Sequence, residues 1–220
     1  MLMMNVLYLD SMLYYDTQFQ QGTRIAIWHV TEELDELFYL LPDDVSVREE
    51  ANRRFKSQKR ILEWVAVRVL LYDMLDRQVD IFYDDDGAPH LPDYEKMDIS
   101  ISHTKDYVAV ALATEGEIGI DIEQIADRVE KVRERFVRED EQAQNINQLL
   151  LHWSAKETAF KMLHRRKVDF LKHFKVLPFK EEQEGTFQLQ EFKTDDEQVL
   201  NVNYKIFPDF VLTYSTYFED

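Results

Sequence analysis

The order of candidate elements predicts an α+β fold built from two related halves. Strands, then helices, then strands again follow one another without regular βαβ alternation. The segment Trp64-Val65-Ala66-Val67-Arg68 is echoed by Trp153-Ser154-Ala155-Lys156-Glu157, and each copy is followed by an Asp-aromatic-Val strand, Asp106-Tyr107-Val108 and Asp209-Phe210-Val211. Hydrophobic residues make up 45% and aromatics 13% of the 220 residues, enough to furnish a core. The echo implies a pseudo-dimer: similar lobes over 1–115 and 116–220, related by a pseudo-twofold axis, with one functional cleft between them. Only the second copy carries the acidic residues, Glu157 standing where the first has Arg68.

In chain order, Asn5 to Leu9 is short and apolar, a candidate strand. Thr23 to Val30 is a second, with Ile25 and Ile27 on one face. Thr31 is the expected N-cap of a helix carrying Glu32 and Glu33 in its first turn and Leu34, Leu37 and Leu40 at helical spacing. Pro42-Asp43-Asp44 stops it. A long helix, basic at its start, runs from about Val47 to Leu75 with a break near Ser57. Val79 to Tyr83 is a candidate strand and Asp84 to Gly87 a turn. Asp98 to Ser102 and Tyr107 to Ala113 are expected to pair. Ile118 to Glu123 follows as a strand, then helices over Val129 to Phe136, Glu139 to Gln144 and Ile146 to Leu163. The tail predicts four strands, Phe174 to Leu177, Thr186 to Phe192, Val199 to Phe207 and Phe210 to Tyr214.

Composition narrows the possible functions. With 26 Lys+Arg against 43 Asp+Glu the net charge is -17, which repels nucleic acid. Cysteine is absent, so thiolate chemistry and disulfides are excluded. Met1 to Tyr15 lacks the basic region of a signal peptide, and no apolar run has the length of a membrane span. A soluble cytoplasmic protein is the expectation. Bases concentrate in two places, Arg48 to Arg68 and Arg128 to Lys175, where a phosphate-bearing small ligand could bind.

Two stretches carry chemistry. In Ile118-Gly119-Ile120-Asp121-Ile122-Glu123, strand alternation puts Asp121 and Glu123 on one face and Ile120 and Ile122 on the other. Paired carboxylates on a buried element repel each other, and a hard divalent cation such as Mg²⁺ would relieve that repulsion. In Trp153 to Lys161, helical spacing groups Trp153, Glu157 and Lys161 on one face, offering a third oxygen ligand and a cation for a phosphate. Lys156 points away from Glu157 and receives a lesser role.

Together, Gly119-Ile120-Asp121-Ile122-Glu123 and Trp153-Ser154-Ala155-Lys156-Glu157-Thr158-Ala159-Phe160-Lys161 resemble the 4'-phosphopantetheinyl transferase superfamily, in its larger, monomeric type. Ser100-Ile101-Ser102-His103-Thr104, Arg53-Arg54-Phe55, Arg60 and Gly87-Ala88-Pro89 extend the likeness over roughly 48–178. The resemblance implies transfer of 4'-phosphopantetheine from coenzyme A to a serine of an acyl or peptidyl carrier protein, releasing 3',5'-ADP. It implies Mg²⁺ held by Asp121, Glu123 and Glu157, with Glu157 also a general base. Lys161 would neutralise a phosphate oxygen, and Ser102 and His103 would bind the nucleotide phosphates, with Arg60 and Arg48 as further contacts. Where the family commonly has Gly-Lys-Pro this chain has Gly87-Ala88-Pro89, and losing that cation should weaken coenzyme A binding by ~1–3 kcal/mol. Ala88 also keeps open the alternative of a relative that binds coenzyme A or a carrier protein without catalysis. The basic groups Arg128, Lys131, Arg133, Arg135 and Arg138, then Arg165, Arg166, Lys167, Lys172 and Lys175, are the expected landing side for an acidic carrier protein.

Overall fold

The computed structural model describes residues 13–19, 22–163, 168–194 and 197–218. The expected strand Asn5 to Leu9 and the basic trio Arg165, Arg166 and Lys167 lie outside the described residues. Two main antiparallel sheets organise the chain, each backed by one long helix, so the mixed α+β reading holds. Among the described residues no helix is long and apolar enough to cross a membrane.

The first sheet has the order β1-β2-β6-β5, formed by β1 (Leu13–Gln18), β2 (Thr23–His29), β5 (Asp98–Thr104) and β6 (Tyr107–Ala113). β1 was not anticipated: half-buried Leu13, Tyr15 and Thr17 alternate with exposed Tyr14, Asp16 and Gln18, the pattern of an edge strand whose inner face carries a polar Thr17. Helix α1 (Leu34–Tyr39) begins later than expected, because Glu33 rather than Thr31 caps it. The Glu33 amide donates to Glu36 Oε2 at 2.9 Å and the Glu33 side chain answers the Glu36 amide, a reciprocal capping box. The basic segment divides as expected into α2 (Asp44–Arg54) and α3 (Gln58–Leu75) around Phe55-Lys56-Ser57. Asp43 accepts from the Ser46 amide and starts α2. Beyond its exposed first turn α3 is apolar on nearly every side and lies buried against the first sheet.

Val79 to Tyr83 is not a full strand. Val79 and Ile81 are buried in the first core without ladder partners, and only β3 (Phe82–Tyr83) pairs, with β4 (Pro89–His90). Asp84 closes the turn between them by accepting from the Asp86 and Ala88 amides, and Gly87 takes the positive φ of +83° that the turn requires.

The second sheet has the order β7-β11-β10-β9-β8, from β7 (Glu117–Gln124), β8 (Phe174–Val176), β9 (Glu184–Glu191), β10 (Val199–Ile206) and β11 (Phe210–Tyr217). Its helix is α4 (Ile146–Met162), capped by Asn145, which accepts from the Gln148 amide. The short helix α5 (Phe170–His173) leads into β8. Two expected helices are corrected. Asp127–Arg135 is a 3-10 helix, in which Val129 alone is fully buried, so little packing favours the α form. Glu139 to Gln144 is irregular, because Glu141 turns inward to accept from the Arg138 and Val176 amides.

The sheets meet along two edge strands, β5 and β7, joined by side chains rather than by a backbone ladder. The amides of Ile118, Ile120, Ile122 and Gln124 donate to Asp98, Ser100, Ser102 and Thr104 in turn, at 2.7 to 3.2 Å. Every second residue of β5 thus satisfies an edge amide of β7. On the other side of the seam Ile118, Ile120 and Ile122 pack with Ile25, Ile27, Ala109, Ala111, Phe210 and Leu212 in a core between the sheets.

The opposite face of β7 holds Gly119, Asp121 and Glu123, and α4 crosses it closely. A Cβ on Gly119 would fall 2.2 Å from the Thr158 carbonyl oxygen and 2.9 Å from Met162 Cβ. Glycine is what lets the helix bring Glu157 and Lys161 down onto the carboxylates. Gly119→Ala should therefore cost about 1–3 kcal/mol in denaturant unfolding through overpacking; an unchanged midpoint would refute the close approach.

Candidate active site

Asp121 and Glu123 project from β7 on the side facing α4, as strand alternation requires. Asp121 is buried. Its Oδ1 accepts from Ser102 Oγ at 2.9 Å and from Lys161 Nζ at 2.8 Å, while its Oδ2 is buried with no protein partner. Lys161 also donates to the Ile120 carbonyl at 3.0 Å, so it is tied to β7 from above. Ser102 both donates to Asp121 and accepts from the Ile122 amide, fixing the carboxylate from β5.

Glu123 Oε1 accepts from the Trp153 indole nitrogen at 2.8 Å. The indole is held edge-on by Phe136 and Phe170. Burial pushes the Glu123 carboxyl above its ordinary value, and the charge of Asp121 adds to the shift. Glu157 is affected most: burial, then Asp121, raise it to about 7, against the pull of Lys161. Three carboxylates and one ammonium thus form an electrostatically coupled group.

The donor set fits a hard cation: oxygen ligands only, mutually repelling, with one buried oxygen unclaimed. Among the described residues no three His, Asp or Glu side chains already converge as a complete metal cage. What stands there is an incomplete oxygen set, with Asp121 Oδ2 unclaimed.

Next to Lys161 a cavity of about 210 Å³ runs along Ile99, Ser100 and Ile101 beneath Gly87, Ala88 and Pro89. It adjoins a larger one of about 410 Å³ lined by Arg54, Arg60, Glu63, Trp64, Tyr83 and His103, and the two share Gly87, Pro89 and Ile101. Arg60 and His103 therefore stand on a cleft adjoining the cavity that Lys161 lines. Arg48 does not. Its guanidinium lies over the Phe38 ring and pairs with Asp35, away from the cavity walls.

Several side chains at the site were not assigned from sequence. The Trp153 contact to Glu123 needs two distant elements to meet. Glu63, beside His103, is one helical turn past Lys59 and Arg60, and that charge pattern was the available signal. Lys156 has a structural position: its ammonium is fully buried and donates to Glu141 Oε2 at 2.8 Å and the Phe136 carbonyl at 2.6 Å.

The family profile described as the 4'-phosphopantetheinyl transferase superfamily matches residues 117–215, from β7 to β11. Over that span the chain is similar to the 4'-phosphopantetheinyl transferase superfamily. The 4'-phosphopantetheinyl transferase AcpT of Escherichia coli O157:H7 is 37% identical over 65 residues, 30% of this chain and 33% of that protein. AcpT of Salmonella typhi is 36% identical over 69 residues, 31% of this chain and 36% of its own length. The protein slr0495 of Synechocystis sp. is 33% identical over 90 residues, 38% and 37% of the two chains. The chain thus spans 33–37% of the length of these curated relatives. The superfamily match contains Asp121, Glu123, Glu157 and Lys161. Ser102, His103 and Arg60 lie before it.

Proposed function

We propose that the chain transfers 4'-phosphopantetheine from coenzyme A to a serine hydroxyl of an apo acyl or peptidyl carrier protein, with Mg²⁺, releasing 3',5'-ADP. The reading is carried by the buried Asp121, with one oxygen unclaimed, set among Glu123, Glu157 and Lys161. The adjoining cleft, with Arg60 and His103 on its wall, supports a nucleotide alongside.

In the proposed reaction the serine oxygen bonds to the pantetheine-side phosphorus of the pyrophosphate. The bond from that phosphorus to the bridging oxygen breaks, and that oxygen leaves with 3',5'-ADP. Asp121, Glu123 and Glu157 would hold Mg²⁺, which when bound supplies charge neutralisation at the pyrophosphate. Glu157, poised near neutrality, is suited to take the serine proton directly or through water. Lys161 is placed to meet a phosphate oxygen, and Ser102 keeps the Asp121 carboxylate in orientation. His103 and Arg60 would face the nucleotide phosphates. Arg48 would at most act from a distance, through its charge.

The lobes are proposed as 1–115 and 116–220, meeting at the β5/β7 seam; that both sheets of the seam come from one chain supports a monomer, and a cytoplasmic location is proposed with it. The carrier protein is proposed to land beside the exposed Arg128, Lys131, Arg133 and Arg135, since Arg128 already lies close enough to Glu123 to favour its charge. Arg138 and Lys175 instead share Asp140, and Lys172 pairs with Asp169. Reversing Arg128 and Lys131 to Glu should raise KM for carrier protein about tenfold with kcat little changed; an unaltered KM would remove this surface from the account.

Chromatographic detection of 3',5'-ADP released from coenzyme A, only when both apo carrier protein and Mg²⁺ are present, tests the reaction. Coenzyme A binding without release would favour the non-catalytic alternative.

A second test uses stability. Between the ordinary Glu value of 4.5 and the folded value of about 7, the folded protein holds a proton at Glu157 that the unfolded chain has lost. Stability from this group is therefore greatest below 4.5 and falls as pH rises through 7. A divalent cation binds the ionised carboxylate and offsets that loss. Mg²⁺ at about tenfold over its dissociation constant should raise the melting temperature by roughly 3–5 °C at pH 8, and by much less at pH 5. Equal shifts at both pH values would contradict a metal site containing Glu157.

A further inference from the structure

One carboxylate in the cleft is out of place in a simple phosphate receptor. Glu63 lines the same cavity as Arg54, Arg60 and His103, with its side chain only 14% exposed. Its oxygens lie 3.8 Å from Lys59 Nζ, 3.9 Å from Arg60 Nη1 and 3.5 Å from His103 Nε2. These are ionic contacts at the limit of reach, so the carboxylate keeps lone pairs for another donor. Burial, with Arg60, Lys161 and Lys59 nearby, also holds the His103 imidazole below its ordinary value despite Glu63, leaving it mostly uncharged at neutral pH. Ala88, which lines the adjoining cavity that shares Gly87 and Pro89, brings no cation. An acid, Glu63, thus stands among the cations at this end of the cleft and offsets part of their charge.

We propose that Glu63 is a specificity-determining residue that accepts a hydrogen bond from a ribose hydroxyl and opposes a ribose phosphate, so that the cleft binds dephospho-coenzyme A on a par with coenzyme A. The proposal rests on the coenzyme A reading above and deepens it. A phosphate drawn to Arg60 and Lys59 must approach Glu63 as well, and like charges a few ångströms apart in a partly desolvated cleft repel. A hydroxyl meets no such opposition and supplies the donor that the carboxylate lacks.

Isothermal titration calorimetry of the full chain with coenzyme A and with dephospho-coenzyme A tests this, for the wild type, Glu63→Gln and Glu63→Ala. Gln keeps the shape and removes the charge; Ala removes both and guards against an effect peculiar to Gln. The wild type should bind the two compounds within about threefold of each other. Both variants should bind coenzyme A about five- to tenfold tighter, with dephospho-coenzyme A unchanged or weaker. Weaker coenzyme A binding, or equal changes for both compounds, would overturn the role of Glu63 and leave the coenzyme A reading standing. Failure of the wild type to bind either compound would overturn both.

Discussion

Asp121→Asn is expected to lower carrier-protein modification by about a hundredfold or more while leaving the fold intact. The carboxamide matches the carboxylate in size, and its oxygen can still accept from Ser102 and Lys161, the two bonds that fix Asp121 to β5 and α4. What it loses is negative charge at the buried, unclaimed Oδ2 position, where an amide group would stand instead. A structural role for Asp121 would appear as a lowered melting temperature with proportionate loss of activity. The expected result is the reverse: a melting temperature near wild type, and a rate that added Mg²⁺ does not restore. Measuring initial rates of holo-carrier protein formation beside a thermal melt separates the two, and a variant within tenfold of wild type would remove Asp121 from the chemistry.

Lys156→Met should destabilise the protein by about 3–5 kcal/mol, the range for breaking a buried ion pair from one side. The lysine ammonium and the Glu141 carboxylate are both fully shielded from solvent, 2.8 Å apart. Glu141 in turn holds the Arg138 and Val176 amides, so the pair joins α4 to the segment after the 3-10 helix and to β8. Methionine fills the volume but leaves Glu141 charged and without its cation. The double variant Lys156→Met with Glu141→Gln should regain part of the loss, because the remaining polar group is neutral. Denaturant unfolding of both variants decides this, and a single variant as stable as wild type would mean that the pair is dispensable. Because Phe136 both accepts from Lys156 and packs on Trp153, some activity loss should accompany the instability.

Strand and helix periodicity made the site's first layer legible. Alternation in Ile118 to Glu123 placed Asp121 and Glu123 on one face, and helical spacing placed Glu157 and Lys161 together. The structure has both arrangements, with Gly119 setting how closely they meet. What periodicity cannot supply is the partner across a gap. Ser102 reaching Asp121, Trp153 reaching Glu123 and Glu141 reaching Lys156 all join elements remote in sequence. Glu141 shows why the expected helix over Glu139 to Gln144 fails: its carboxylate is committed inward, to backbone amides and a buried lysine, and the local chain follows. Val79 and Ile81 looked like a strand because they are apolar and β-branched, but burial in a core needs no ladder. Arg48 looked like a phosphate contact because it begins a basic run, yet Asp35 and Phe38 claim it.

The most direct measurement is the intact mass of an apo acyl carrier protein after incubation with the chain, coenzyme A and Mg²⁺, beside Glu157→Gln and a chelator control. The expected result is a phosphopantetheine adduct with the wild type, lost with either control. An adduct that persists with the chelator or with Glu157→Gln would contradict the carboxylate-centred chemistry, and no adduct on any of several carrier proteins would contradict the transferase itself.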